Sequence, residues 1–343
     1  MDEALYDEMF RLESAHWWFV AKRRIILSLL KKHLPVSPSS PAPRVCDIGC
    51  GCGMTLCDLQ KQGYQAVGVD ASETALSYCA ARGVQAVKGS LPDHLGLPPE
   101  NADAVLLLDV LEHLDDDLAA MLAAIDLLRP GGILIATVPA YQWLWTRRDE
   151  FHHHKRRYSL KQWRQLLHDA AARCGARRLT VSYFNTYLFP PALAGRLAAK
   201  VLPQPDRPGD MSIPPLGINR LLAGIFASER LPLCAGIPLP FGLSLLAVMR
   251  KPGEPRKEGG GFPRTEPQTI EQAVQEIITW KWAMSQDQVG LFRGMQNEDL
   301  SIMHFSLGLS IRNELGLQSK KSKLLKACGV RDPMTRRPSF FGL

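Results

Sequence analysis

One segment of the chain reads Val45-Cys46-Asp47-Ile48-Gly49-Cys50-Gly51-Cys52-Gly53. It has the pattern of a buried strand that ends near an aspartate and breaks into alternating glycines. The next strand-like run, residues 66–70, closes on a second aspartate, Asp70. Because alternating glycines make a turn with no Cβ atom on its inner side, a ligand can lie directly against the backbone. The pattern therefore predicts a binding site for a nucleoside-containing cofactor.

The spacing of the glycines indicates which kind of cofactor is bound. Dinucleotide sites use G-x-G-x-x-G, in which backbone N–H groups face a pyrophosphate. Here the glycines strictly alternate and Asp47 precedes the first of them by two positions, which suits a ligand without phosphates. Asp47 favours a cationic amino-acid end, and Asp70 can accept two hydrogen bonds from ribose hydroxyls. We expect a side chain at Gly51 to occupy the space of this ligand and to leave the fold largely intact.

These residues resemble the class I S-adenosylmethionine-dependent methyltransferases. The runs Asp109-Val110-Leu111-Glu112-His113-Leu114 and Leu128-Arg129-Pro130-Gly131-Gly132-Ile133-Leu134 stand in the order and at the distances of that family. A narrower resemblance, to a bacterial type 11/12-like subgroup, covers roughly residues 5–250. The resemblance implies S-adenosyl-L-methionine as the cofactor, with adenine near Ser90 and Leu91, where many relatives carry Asp in place of the serine. The expected cofactor-binding residues are Asp47, Gly49, Gly51, Gly53, Asp70, Ala71, Ser90, Leu91 and Asp109.

Apolar residues at helical spacing, with Lys22 among the basic residues between them, predict a helix over residues 17–33, and Ser72 is the expected N-cap of a later helix. Strand and helix patterns alternate along the first half of the chain, and the strands are continuously apolar. This pattern predicts a parallel sheet that is covered by helices on both faces. With two further strand patterns near residues 179–184 and 243–248, the fold class is α/β, a Rossmann-like doubly wound seven-stranded sheet. Ligands bind such sheets beyond the carboxyl ends of the strands. Asp47, Asp70 and Asp109 each fall at such an end.

The composition of the chain limits its domain count, its partners, its location and its metal binding. The length of 343 residues allows one large and one small domain. The formal net charge of +7 does not require nucleic acid as a partner. The first residues are acidic and lack an apolar signal segment, and no run reaches a membrane-spanning length. We therefore expect a cytoplasmic protein. We expect no metal. Alternate cysteines in the tight glycine turn do not converge on one tetrahedral ion, and neighbouring side chains of the histidine run at residues 152–154 point apart.

Two segments suggest an acceptor site. Residues 185–240 form an apolar insertion far longer than an ordinary strand connection of about two to six residues, which predicts a cap for a lipid-like acceptor, a contact with a membrane surface, or a second small core. Basic and aromatic residues at Arg156, Arg157 and Tyr158 suggest a loop that grips an anionic acceptor.

The end of the chain has a different character. Residues 251–266 read as a Gly-rich, charged linker after a methyltransferase domain at 1–250. Residues 267–343 show amphipathic helical spacing and resemble a small all-α bacterial domain of unknown function. That resemblance supplies no activity.

The resulting expectation is methyl transfer to a small-molecule or lipid-like acceptor. If the acceptor atom is a hydroxyl oxygen, a base contributes, and His113 and His154 are the candidates by residue type. If it is a carbon, nitrogen or carboxylate, no base is needed. The alternative is a non-catalytic binding protein in which the helical module acts and the nucleotide fold is a scaffold. A nicotinamide-dependent oxidoreductase is disfavoured because the G-x-G-x-x-G motif is missing.

Overall fold

A computed structural model describes residues 3–201 and 212–253 of the chain. The chain divides into two compact units, Met1–Lys257 and Glu258–Leu343. The predicted linker beyond residue 253 and the predicted C-terminal helices therefore lie outside the described residues, as does the middle of the apolar insertion.

The described residues form a seven-stranded sheet in the order β3-β2-β1-β4-β5-β7-β6, with helices between the strands. The strands are β1 (Arg44–Ile48), β2 (Gln65–Asp70), β3 (Ala86–Lys88), β4 (Ala102–Leu108), β5 (Leu128–Pro139), β6 (Arg177–Phe184) and β7 (Ser244–Arg250). The helices are α1 (Glu3–Leu12), α2 (Trp17–His33), α3 (Met54–Lys61), α4 (Glu73–Ala81), α5 (Asp117–Asp126), α6 (Arg147–Phe151), α7 (Leu160–Cys174), α8 (Phe189–Val201), α9 (Leu216–Ser228) and α10 (Arg230–Cys234).

The first five strands run parallel, as their continuous apolar character predicts. The seventh strand, β7, for which the sequence predicted no direction, pairs antiparallel with both β5 and β6. The reason lies in the insertion between β6 and β7. It returns the chain to the edge where β6 ends, so that Phe184 pairs with Ser244 and β7 runs back along its neighbour. Apolar strands look alike in either direction, so the sequence does not encode this reversal.

The core lies between this sheet and its helices. Strands β1 and β4 are buried along most of their length, and α2 buries one side, with Ile25, Ile26, Leu29 and Leu30 fully inaccessible. Two predicted helix boundaries are confirmed in detail: α2 spans residues 17–33, and the Ser72 side chain caps α4 by accepting a hydrogen bond from the Ala75 N–H group. Caps of this kind typically contribute about 1 kcal/mol.

Two buried polar residues fix the insertion: Glu229 joins its last helices to its own first residues after β6, and Asn219 joins it to the start of α2. Glu229 is fully buried and accepts backbone hydrogen bonds from Asn185, Thr186 and Tyr187 at 2.6, 2.6 and 2.8 Å. The Asn219 side chain on α9 accepts from the Trp17 N–H group at 2.9 Å and donates to a backbone carbonyl in the turn before α2. The start of α9 is thereby held at the carboxyl edge of the sheet, where α2 begins. No described helix is both long and apolar enough to cross a membrane.

Candidate active site

The glycine loop follows β1 at the carboxyl edge of the sheet. Gly49, Gly51 and Gly53 have φ values of +71°, +54° and +82°, the left-handed region that L side chains rarely adopt. A Cβ atom on Gly51 would lie 2.5 Å from the Met9 methyl carbon on α1. A side chain at this position would therefore strain the backbone and require the flexible end of Met9 to move aside, so a substitution here should cost stability as well as affinity for a ligand.

Asp70, at the end of β2, is buried and faces the same loop. Its carboxylate accepts hydrogen bonds from the backbone N–H groups of Gly51 at 2.9 Å and Ser72 at 3.0 Å, and from the Tyr6 hydroxyl on α1. An ionised carboxylate offers about four acceptor positions. Backbone groups of Gly51, Ala71 and Ser72 and the Tyr6 hydroxyl take these positions, so a ribose hydroxyl would have to displace one of them, most readily Tyr6. Desolvation raises the pKa of Asp70, and the backbone donors oppose that shift.

Helix α1 lies over this loop through several contacts. The Phe10 ring stacks on Tyr78 with centroids 4.3 Å apart, and Arg82 donates to the carbonyls of Phe10 and Cys52 at 2.9 and 2.8 Å. Glu13 forms an ion pair with Arg82. The first helix is therefore part of the wall of the predicted cofactor site.

A cavity of about 710 Å³ opens beside the loop and is lined by residues that follow β2 and β3. Ala71 and Ser90, two of the predicted cofactor residues, line it together with Gly89 and His94. Leu91 is buried next to it. The cavity lies where the resemblance places adenine, and the glycine loop itself lies outside its lining.

Asp47 is 2% exposed, and burial raises its pKa to about 7, with Lys22 opposing that shift and Asp70 reinforcing it. A cationic ligand group would be stabilised by this carboxylate once it is ionised. Two buried carboxylates, Asp47 and Asp70, face the loop, which fits a cofactor with an ammonium end and a ribose. The Cβ position of each loop glycine lies within 3 Å of a protein side chain, so packing within the protein also requires glycine there.

Asp109 lies at the end of β4, in the left-handed region with φ of +60°. Its carboxylate accepts from the Lys22 ammonium group at 2.6 Å and from the Thr137 hydroxyl at 2.8 Å. These donors hold the pKa of Asp109 below its usual range, against the effect of burial. Non-glycine residues in this region of backbone space concentrate at functional sites. Asp109 is thus held rigidly at the edge where the loop and Asp70 also lie.

The two predicted catalytic histidines are brought together beside Asp109. The rings of His113 and His154 pack edge to face with centroids 4.7 Å apart. Burial lowers the pKa of His113 to about 4, so that its imidazole is neutral at pH 7. Glu112 is fully buried beside them, and burial together with Asp109 raises its pKa well above the usual value. This set of Glu112, His113 and His154 is called the histidine cluster below.

Asp149 orients one of these histidines. Its carboxylate is 1% exposed and lies 2.9 Å from His154 Nδ1 and 2.7 Å from Arg157 Nε. Hydrogen bonds from these two side chains and the charge of Arg157 lower the pKa of Asp149, so it is ionised and can only accept. His154 Nδ1 is therefore the donor in this contact, and Nε2 is the ring nitrogen that Asp149 does not engage.

The three predicted acceptor-binding residues point their polar groups at the chain itself. Arg156 donates to Asp117 and to the carbonyls of residues 114 and 115, and the Tyr158 hydroxyl donates to Asp117 at 2.8 Å. Arg157 is buried and donates to Asp149 and to the Ala140 carbonyl. In the structure these residues hold the loop that carries His154, which makes them positioning groups for the cluster.

Three site residues were not assigned a role from the sequence: Lys22, Glu112 and Asp149. Lys22 is one of several basic residues between the apolar positions of α2, and Asp149 stands in a run that carries the narrower subgroup resemblance. Glu112 stands inside a quoted motif, next to a predicted histidine. Its position next to His113 is the sequence feature that could have indicated a role for Glu112. The contact of Lys22 with Asp109 spans 87 positions, which no local pattern reveals.

Residues 15–174 match the family described as "Methyltransferase domain". They span β1 to β5, the glycine loop and the histidine cluster. These residues are a class I S-adenosylmethionine-dependent methyltransferase domain. Its cofactor is S-adenosylmethionine. Residues 266–335 match a second family, described as "Domain of unknown function (DUF6794)".

Curated relatives include the ubiquinone biosynthesis O-methyltransferase of Dinoroseobacter shibae, 35% identical over 107 residues, or 29% of this chain and 43% of that protein. The protein of that name from Cereibacter sphaeroides is 31% identical over 108 residues, which cover 29% of this chain and 44% of the relative. The matched segment thus spans less than half of these relatives.

Solved structures that align with the methyltransferase domain include a SAM-dependent methyltransferase from Archaeoglobus fulgidus, at 18% identity and a TM-score of 0.43, covering 67% of this chain and 94% of the other. Another is phosphoethanolamine N-methyltransferase 2 from Haemonchus contortus in complex with S-adenosyl-L-methionine, at 18% identity and a TM-score of 0.43, covering 66% of this chain and 52% of the other.

Proposed function

We propose that this methyltransferase domain transfers the methyl group of S-adenosylmethionine to a hydroxyl oxygen of a small, largely apolar acceptor. The observation that carries the proposal is the histidine cluster at the carboxyl edge, next to Asp109. Transfer to an amine needs no such group, whereas a neutral hydroxyl is a weak nucleophile that must lose its proton. A pair of oriented imidazoles is the arrangement that promotes this loss.

Each group of site residues has a separate role in the proposed reaction. The glycine loop, Asp47 and Asp70 would hold the cofactor, which supplies an electrophilic methyl group when bound. Lys22 and Thr137 fix Asp109 at the strand end, and Asp149 fixes the ring of His154. The cluster would receive the acceptor hydroxyl and promote loss of its proton. Positioning of this kind can supply about 7–11 kcal/mol of the barrier.

The acceptor class is argued from the insertion between β6 and β7. Its helices expose large apolar side chains: Leu216, Leu221 and Leu231 are 65%, 62% and 65% exposed. Near the start of α2, a second cavity of about 530 Å³ combines apolar residues with Arg24 and Arg220. An apolar molecule with a polar head fits this lining, and the exposed leucines fit peripheral contact with a lipid surface. The O-methyltransferase names of the curated relatives agree with oxygen as the acceptor atom.

The proposal is tested with the full chain and S-adenosylmethionine labelled in its methyl group. The acceptor panel pairs an alkylated catechol with the matching aryl amine and benzoic acid. We expect label in the catechol. Replacing both histidines (His113→Ala with His154→Ala) should lower the rate about 10²- to 10⁴-fold, the usual range for acid–base assistance, with S-adenosylhomocysteine affinity unchanged. His168→Ala, an exposed histidine on α7, is the matched control and should leave the rate unchanged.

Two results would contradict the proposal. Preferential labelling of the amine, or an undiminished rate in the double variant, would remove oxygen as the acceptor atom or the cluster as the activating group. Cofactor binding with no label in any acceptor would instead favour the alternative, a non-catalytic binding protein that uses the nucleotide fold as a scaffold.

A further inference from the structure

The histidine cluster has the composition of a metal site. One carboxylate oxygen of Glu112 and one ring nitrogen from each of His113 and His154 all lie within 4.8 Å of one another. We propose that these three side chains bind one divalent transition-metal ion of the Zn²⁺ type, and that this ion activates the acceptor hydroxyl. Its catalytic use rests on the proposed function, whereas its binding does not.

Glu112 supplies the first independent argument. The residue is fully buried, and neither of its carboxylate oxygens has a hydrogen-bond partner. An unpartnered carboxyl group in this position is costly, because buried polar groups are normally hydrogen-bonded and buried charges are paired or bind metals. Among the described residues none completes a hydrogen bond to these oxygens, although the backbone N–H group of Glu112 itself lies near them. A bound cation would satisfy both.

The orientation of the histidines supplies the second argument. His154 Nδ1 lies 2.9 Å from a carboxylate oxygen of Asp149, which leaves Nε2 as the ring nitrogen for an ion. His113 is hydrogen-bonded to the backbone of His153. Histidines that bind metals nearly always donate their other N–H group to a carboxylate or a carbonyl, which fixes the tautomer and the ring orientation. Both imidazoles of the cluster are held in this way.

The ligand set indicates the class of ion. Imidazole nitrogens favour Zn²⁺, Co²⁺ or Fe²⁺ over Mg²⁺, which prefers oxygen ligands. Two histidines and one carboxylate are a known composition of catalytic zinc sites with an open fourth position. Bond lengths of about 2.0–2.2 Å would require the three side chains to close by roughly 1 Å. The surrounding charges permit a cation. Three carboxylates lie in or beside the cluster, those of Glu112, Asp109 and Asp149, and they outnumber the two neighbouring basic side chains, Lys22 and Arg157.

The chemistry balances without a further reactant. The hydroxyl oxygen of the acceptor would take the open coordination position, and its proton would leave to solvent because a bound divalent ion lowers the pKa of a ligated hydroxyl group. The oxygen then forms a bond to the methyl carbon as the carbon–sulfur bond breaks. The products are the methyl ether and S-adenosylhomocysteine.

The test is a titration of the chelator-treated, dialysed full chain with Co²⁺, followed by its visible d–d absorption. We expect one ion per chain and displacement by one equivalent of Zn²⁺. His154→Ala and Glu112→Gln should weaken Co²⁺ binding at least 100-fold, and Asp149→Asn about 10- to 100-fold, as for other residues that orient ligands. His168→Ala is the control and should bind as the unaltered chain does.

Because Glu112→Gln alters the core, thermal unfolding with and without Zn²⁺ provides a second readout. The ion should raise the melting temperature of the unaltered chain and of the control, and should not raise that of His154→Ala. The absence of d–d bands, or binding unaffected by these substitutions, would overturn the proposal. Thiolate-to-Co²⁺ charge-transfer bands would also overturn it, since they would place the ion on cysteines. If Co²⁺ fails to bind while methyl transfer to oxygen still depends on His154, the metal proposal fails and the proposed function stands.

Discussion

Asp70→Asn separates the structural role of the carboxylate at the end of β2 from its predicted role in cofactor binding. Asp70 accepts backbone hydrogen bonds from Gly51 and Ser72 at 2.9 and 3.0 Å, and would accept from the cofactor ribose. The amide keeps one oxygen and replaces the other with a donor, so one charge-assisted hydrogen bond to the ligand is lost. Such bonds contribute about 1.5–3 kcal/mol, which corresponds to an affinity loss of about 10- to 150-fold. One backbone donor is also left unpaired, at a cost of about 1–3 kcal/mol of unfolding free energy.

The assay is calorimetric titration with S-adenosylhomocysteine beside urea unfolding of the same samples. Asp103→Asn is a matched control, because Asp103 also accepts a backbone N–H bond, from Arg44 at 2.7 Å, and lies at the opposite edge of the sheet. It should lose stability and keep full affinity. If Asp70→Asn is destabilised as much as the control but binds S-adenosylhomocysteine as tightly as the unaltered chain, Asp70 is purely structural and the cofactor assignment is refuted.

Two further predictions concern the buried aspartate at the end of β1 and the boundary of the domain. Burial raises the pKa of Asp47 from 3.8 to about 7, so the folded chain holds a proton that the unfolded chain has released, and stability should fall as pH rises from about 4 to about 7. Asp47→Asn should remove that slope in urea unfolding measured across this range, and an unchanged slope would assign it to other groups. A chain that ends at Lys257 should fold and bind S-adenosylhomocysteine normally, whereas one that ends at Arg250 should melt at a lower temperature, because Lys251 and Pro252 hydrogen-bond to the Gly131-Gly132 turn at 2.9 Å. Equal melting temperatures of the two chains would contradict the importance of these contacts.

The sequence alone determined the parts of this protein that depend on short-range pattern. Gly49, Gly51 and Gly53 are visible as alternating glycines because a left-handed turn needs residues without Cβ. Asp47, Asp70 and Asp109 could be placed at one edge because the carboxyl ends of parallel strands meet there. Helix α2 and the cap at Ser72 followed from periodicity and capping preference. These features require only neighbours in the chain.

Tertiary structure alone decided the direction of β7 and the chemistry of the histidine cluster. The reversal of β7 depends on how an insertion folds, and its apolar residues pack equally well in either direction. The contact of Lys22 with Asp109 joins residues 87 positions apart, and that of Arg156 with Asp117 joins residues 39 apart. His113 and His154 were candidates by residue type, but their juxtaposition, the orientation of His154 by Asp149 and the unpartnered burial of Glu112 arise only when separate loops close on the same sheet edge. Local sequence carries no record of such contacts because they are made by packing between distant segments.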